Sequence, residues 1–235
     1  MSLTLIRNLR LLACLACVGA GPAQAALIDR GGGLIYDTVL DITWLADMNY
    51  AKTQFESTGG LVGTATGKME WLQANTWANN LAYGGYIDWR LPNTIQPDPS
   101  CSLQNDEGAS SGMGCTASEM GHLFYQDLGG HPGESVLDST GDTALEMANL
   151  ALFSNLQSNL YWSSTPYEPD SDFGWSFWTA TGNQSALGKD FQLFAMAVRH
   201  GDSVGTVPEP SAAVLALTAL GLLAATRRER CHGRR

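Results

Sequence analysis

Glu168, Asp170 and Asp172 stand at alternate positions in a stretch that also holds Pro166, Tyr167 and Pro169. Hard cations take clustered oxygens from flexible loops, so these three carboxylates are the candidate ligands for calcium. Tyr167 adjoins them and Trp175 follows shortly after. Aromatic faces stack on sugar rings as well as filling cores, and these two are the candidate for an exposed carbohydrate-binding platform. Trp175 and Trp178 are three apart, so on a strand they point to opposite faces and one should meet solvent. Further carboxylates at Asp98, Asp106, Glu107, Asp138 and Asp142 stand in polar segments. Two of them could serve as glycosidase acid and base, but 21 acidic residues between 26 and 206 make chance pairs abundant.

Other chemistry is poorly served. Ser163 and Ser164 lack the Gly-x-Ser-x-Gly elbow of a nucleophile. His122, His131 and His200 are the only histidines between 26 and 206, and none sits in a His-Glu-x-x-His arrangement. Glu119 and His122, at i and i+3, share a helix face but supply only two metal ligands. No catalytic residue or organic cofactor is assigned. The chain reads as a non-enzymatic binding protein, with a hydrolase of matrix polysaccharide or a purely structural matrix component as alternatives.

Several short elements must position these residues. Leu34–Asp37 and Ile42–Leu45 are expected as strands joined by a turn over 38–41. Met69–Tyr83 has helical periodicity, with Trp71, Ala74, Ala78, Leu81 and Ala82 on one face and Gly84-Gly85 as its stop. Thr116 and Glu119 form a potential capping box for a second helix, whose Met120, Leu123, Phe124 and Leu128 share a face. Ala144–Leu156 reads as a third helix, followed by strands over Leu160–Ser164, Trp175–Ala180 and Phe194–Arg199. Helices early and strands late indicate an α+β domain. In Asp88-Trp89-Arg90, side chains alternate, with Trp89 expected in the core and Arg90 in a structural charge-assisted hydrogen bond.

The ends are built differently. Of the 13 basic residues among 235, seven sit outside 26–206, leaving that segment six basic against 21 acidic residues, while the whole chain carries −10. Without a basic field, nucleic acid is excluded as a partner. Arg7 and Arg10, an apolar run over 11–20 and Ala23-Gln24-Ala25 read as a secretory signal peptide over 1–25. At the other end, Pro208-Glu209-Pro210 precedes sixteen uncharged residues, 211–226, and an arginine-rich tip, 227–235. This span is short for a bilayer but apolar all round. Export favours a disulfide between Cys101 and Cys115, the two cysteines of the intervening 26–206 domain. A two-cysteine metal site is the rival, lacking a nearby histidine or third cysteine.

The tripartite tail 207–235 resembles a PEP-CTERM sorting signal. That resemblance implies a Gram-negative bacterium, an exosortase-type partner, transient membrane anchoring and a place at the cell surface or in exopolysaccharide matrix. Between them, Asp88-Trp89-Arg90-Leu91-Pro92 and Tyr161-Trp162-Ser163-Ser164-Thr165 resemble the signature of the Lcl C-terminal domain family. Tyr36-Asp37, Thr43-Trp44-Leu45, Glu119–Tyr125 and Val198-Arg199 stand in the order that family shows. The resemblance covers about 34–202 and implies one C-type-lectin-like domain with long loops. Some members of the family are adhesins for sulfated polysaccharides, a role that six basic residues serve poorly. Glu168-Pro169-Asp170 is similar to the Glu-Pro-x calcium loop of C-type lectins, but the companion Trp-Asn-Asp triplet is absent.

Overall fold

A computed structural model describes residues 27–203 apart from Glu107. The segments expected as signal peptide and sorting tail, with Pro208, Glu209 and Pro210, lie outside the described residues. In chain order the elements are β1 (Leu27–Asp29), β2 (Leu34–Asp37), β3 (Ile42–Leu45), α1 (Tyr50–Ser57), β4 (Lys68–Met69), α2 (Trp71–Asn79), β5 (Leu103–Gln104) and β6 (Ser110–Ser111). Then come α3 (Glu119–His122), a π-helical turn (Leu123–Asp127), α4 (Ala144–Leu150), β7 (Leu160–Pro166), β8 (Phe173–Trp178), β9 (Asn183–Gly188), β10 (Leu193–Phe194) and β11 (Val198–His200). Among the described residues, no helix is long and apolar enough to cross a membrane.

The strands form a four-stranded sheet ordered β1-β2-β3-β11, a five-stranded sheet ordered β4-β10-β7-β8-β9 and the small β5-β6 pair. β11 returns from the end of the domain to lie antiparallel on β3, with Val198 opposite Trp44. The architecture is α+β. Strand alternation delivers neighbouring residues to two different cores. Leu34, Leu45 and Trp162 enter one core, with Ala74, Ala78, Trp89 and Leu91. Ile35, Trp44 and Tyr161 enter the other, with Met120, Phe124 and Phe177. Covering both faces explains why Ile42–Leu45 is buried at every position instead of at alternate ones.

Several boundaries move from their expected places. α2 begins at Trp71 because Met69 belongs to β4, opposite Leu193. Leu81 lies beyond the helix yet stays buried. The second helix has the expected apolar face, but its N-cap is Ser118, which places Glu119 at the first helical position instead of the third, so no capping box forms. The capping box occurs instead at Thr143 and Glu146, opening α4. The expected last strand divides into β10 and β11, and β9 joins the large sheet unanticipated.

The Asp88–Pro92 segment locks these parts together. Asp88 accepts two hydrogen bonds from Arg199, at 2.9 and 3.1 Å. Trp89 is buried in the first core. Arg90 pairs with Glu119 and exchanges backbone hydrogen bonds with Val198. Beyond Pro92, whose carbonyl accepts from Ser164 N–H, Thr94 N–H donates to Thr165 Oγ1. The segment thereby zips onto the end of β7.

Candidate functional site

The end of the β7–β8 hairpin carries the residues of interest. Register runs from Leu160 opposite Trp178 to Trp162 opposite Ser176, then shifts before Pro166 meets Gly174. That irregularity frees 167–172 as a loop. It is closed by Tyr167 N–H on the Phe173 carbonyl, Asp170 N–H on the Tyr167 carbonyl and Phe173 N–H on the Asp170 carbonyl. Lys189 fastens its outer side, donating from the backbone to the Asp172 carbonyl and from Nζ to the Ser171 carbonyl at 2.6 Å. Tyr167 meets Trp175 edge to face, with centroids 5.4 Å apart.

A second wall faces this loop. Gln96 precedes a cis peptide bond to Pro97. Its amide exchanges hydrogen bonds with the Ser110 backbone, at 2.7 and 2.9 Å. Cys101 and Cys115 form a disulfide across this wall. Asp98 is fully buried: its carboxylate accepts from Ser100 and from Ala117 N–H, and its own N–H donates to Ser110 Oγ. It therefore organises the 96–117 segment from a buried position, and is not the open polar-segment carboxylate that could have served as a glycosidase acid or base. Gly112 and Gln184 exchange backbone hydrogen bonds and dock the segment on β9.

Between the two walls lies an open pocket of about 340 Å³, lined by Gln96, Pro97, Ala109, Tyr167, Glu168 and Trp175 among others. An apolar concavity with a few polar groups is the usual form of a small-ligand site. Gln96, Pro97 and Ala109 were not legible as site residues. The disulfide-closed loop was the one sequence signal near them.

The expected platform is corrected in one respect. Trp175 is only 2 % exposed and forms the pocket floor, whereas Trp178 is 42 % exposed on the opposite face of β8. Tyr167 is half-buried beside the floor. Glu168, Asp170 and Asp172 are all exposed and do not converge. Among the described residues the groups of three or more ligand atoms within 4.8 Å of one another are Asp98/Cys101/Cys115 and Asp37/His122/Asp127. Asp170 Oδ1 instead accepts the Asp172 N–H at 3.0 Å. Glu119 and His122 do not act together either, since Arg90 takes Glu119 by two 2.7 Å hydrogen bonds.

The six basic residues of the described chain are all engaged. Arg30 binds Asp202, Arg90 binds Glu119 and Arg199 binds Asp88, while Lys52 lies 3.7 Å from Glu56. Lys68 sits over the Phe194 ring, and Lys189 sits 4.3 Å from the Trp71 ring centroid. The Arg199 guanidinium holds the Asp88 carboxyl below its ordinary range. None of these cations lines the pocket.

The Lcl C-terminal domain family model matches residues 33–199. Comparison with curated proteins found no match.

Proposed function

Since the chain belongs to the Lcl C-terminal domain family, we propose that it is an exported cell-surface or extracellular-matrix protein that binds neutral polysaccharide without turning it over. The observation that carries this reading is the pocket between the 96–109 and 165–169 walls, with Trp175 as floor and Tyr167 beside it. The half-buried Tyr167 ring offers sugars an apolar face above the closed Trp175 floor, and Gln96 and Glu168 supply polar atoms for hydroxyl groups. Commitment of all six cations to internal partners argues for a neutral rather than a sulfated polymer. Among the described lining residues Glu168 is the one carboxylate, whereas glycoside hydrolysis needs two.

Export is supported by the 1–25 pattern and by the Cys101–Cys115 disulfide, which suits an oxidising compartment. The Pro208-Glu209-Pro210 tail supports sorting by an exosortase-type partner with transient anchoring through 211–226. Long loops and the return of β11 beside β3 support a C-type-lectin-like arrangement.

The test is titration of the purified full-length protein with a neutral β-glucan and a neutral galactan, with heparin as the sulfated control. Each titration is run with calcium and with EDTA. Saturable binding to a neutral polymer, abolished in Tyr167→Ala and releasing no reducing ends, is expected. Preference for heparin, absence of neutral binding, or reducing ends accumulating with time overturns the reading. Binding that is lost in EDTA, restored by calcium and not by zinc makes Glu168, Asp170 and Asp172 calcium ligands of the bound state.

A further inference from the structure

The second core holds three ionisable side chains brought from separate elements. Asp37 ends β2, His122 ends α3 and Asp127 ends the π-helical turn. One ligand atom of each lies within 4.8 Å of the others. Asp37 and Asp127 are 0 % and 1 % exposed, and the His122 side chain is largely covered. Asp37 Oδ1 is occupied by the N–H groups of Val39 and Leu40, while its Oδ2 has only a long 3.4 Å contact from Trp44 Nε1.

The other two groups are orphans. Both carboxylate oxygens of Asp127 and Nε2 of His122 are buried without a hydrogen-bond partner. The closest approach, His122 Nε2 to Asp127 Oδ2, is 3.7 Å, too long for a shared proton. Buried polar atoms are ordinarily satisfied, and an orphaned one calls for an explanation. The π-helical turn that ends at Asp127 is a rare local form, found frequently at functional sites.

A cation would supply the partner that the orphaned Asp127 and His122 atoms lack. Ligands 2.0–2.1 Å from a tetrahedral centre stand about 3.4 Å apart, close to the 3.7 Å seen here. Two carboxylates balance a divalent charge, and imidazole nitrogen selects a zinc-class metal over calcium, which requires six to eight oxygens. The Asp98/Cys101/Cys115 group offers no equivalent, because its sulfurs are joined to each other.

We propose that Asp37, His122 and Asp127 form a buried binding site for a divalent transition-metal cation of the zinc class, tying β2 to the α3–π-helical segment. The site is independent of the glycan pocket.

The full-length protein, stripped with EDTA and dialysed, is titrated calorimetrically with ZnCl2 and separately with CaCl2. One zinc per chain is expected. Asp127→Asn and His122→Asn should each weaken it by more than about tenfold, and His200→Gln should leave it unchanged. Absence of stoichiometric zinc binding, zinc binding unaltered in both variants, or equal affinity for calcium overturns the proposal. If a variant fails to fold, the wild-type protein decides. Co2+ should then give the visible absorption of a low-coordinate nitrogen–oxygen site, displaced by one equivalent of zinc, and a spectrum of hydrated Co2+ alone overturns the proposal.

Discussion

Arg90 meets Glu119 through two parallel hydrogen bonds of 2.7 Å, from Nη1 to Oε2 and from Nη2 to Oε1. The same Oε2 accepts the Asn93 N–H at 2.7 Å. One carboxylate thus fixes both the Asp88–Pro92 segment and the start of α3. It does so from a largely buried position, with Glu119 at 12 % and Arg90 at 27 % side-chain exposure.

Glu119→Gln keeps the shape but removes the charge and one of the paired acceptors. Removing one partner leaves a partly buried guanidinium unmatched, which costs more than the pair itself contributes. A loss of about 2 kcal/mol in urea unfolding is expected. Arg90→Lys, which cannot form the fork, should lose about half as much. A change within about 0.5 kcal/mol for both variants would show that the clasp is dispensable.

Much of this framework is readable in the residues, and the unreadable remainder has a common cause. Leu34–Asp37 and Ile42–Leu45 pair across a short turn, so local pattern suffices to define them. Trp89 and Arg90 declare themselves by type: a large apolar group and a fork-shaped cation inside an otherwise acidic chain. β9 escapes because Asn183–Gly188 carries Gln and Ser where apolar alternation would be expected. Strand parity separates Trp175 from Trp178 but does not say which face is covered. Tyr167 packs edge to face on Trp175, and the facing wall of the pocket comes from the 96–109 segment, more than sixty residues earlier. The metal cluster is hidden for the same reason. Glu119 and His122 are visible as neighbours, but Asp37 is 85 residues away and Glu119 is drawn off by Arg90.

The Asp88–Arg199 pair gives a pH prediction. Arg199 hydrogen bonds hold the folded-state pKa of Asp88 below its unfolded value. The contribution of the pair is therefore present above about pH 4 and is lost as pH falls through the lower folded value. Asp88→Asn should lower the urea midpoint at pH 6, and the gap to wild type should close as pH drops toward 3. Asp88 is half exposed, so the gap is modest. A gap that stays constant across this range would mean that the charge contributes nothing.

The Cys101–Cys115 bridge closes a loop with a sequence separation of 14. In the chain-entropy treatment such a loop stabilises the fold by about 3 kcal/mol. The paired Cys101→Ser and Cys115→Ser variant should unfold at correspondingly lower urea. It should also bind the neutral polymer more weakly, because Gln96, Pro97 and Ala109 belong to the wall that the bridge secures. Unchanged affinity in a destabilised variant would separate the bridge from the pocket.

Gly121 admits no side chain. A Cβ there would stand 1.7 Å from the Cys115 carbonyl oxygen, a backbone atom that has no rotamer with which to retreat. Gly121→Ala is expected to push α3 away from the Cys115 backbone and to destabilise by about 1–3 kcal/mol, despite the higher helix propensity of alanine. Thermal unfolding distinguishes the two effects by sign, and a rise in midpoint would refute the close packing.

Trp175 and Trp178 separate stability from recognition. The two face opposite ways on β8, one as a buried pocket floor and the other toward solvent. Trp175→Ala removes a large buried ring and should cost about 3–5 kcal/mol, whereas Trp178→Ala should change stability by no more than about 1 kcal/mol. Tyr167 is the discriminating position. It touches Trp175 edge to face and is only half-buried, so Tyr167→Ala should reduce polysaccharide affinity at a small cost in stability. If Trp178→Ala abolishes binding while Tyr167→Ala leaves it intact, the ligand lies on the outer face of β8 and the pocket is not its site.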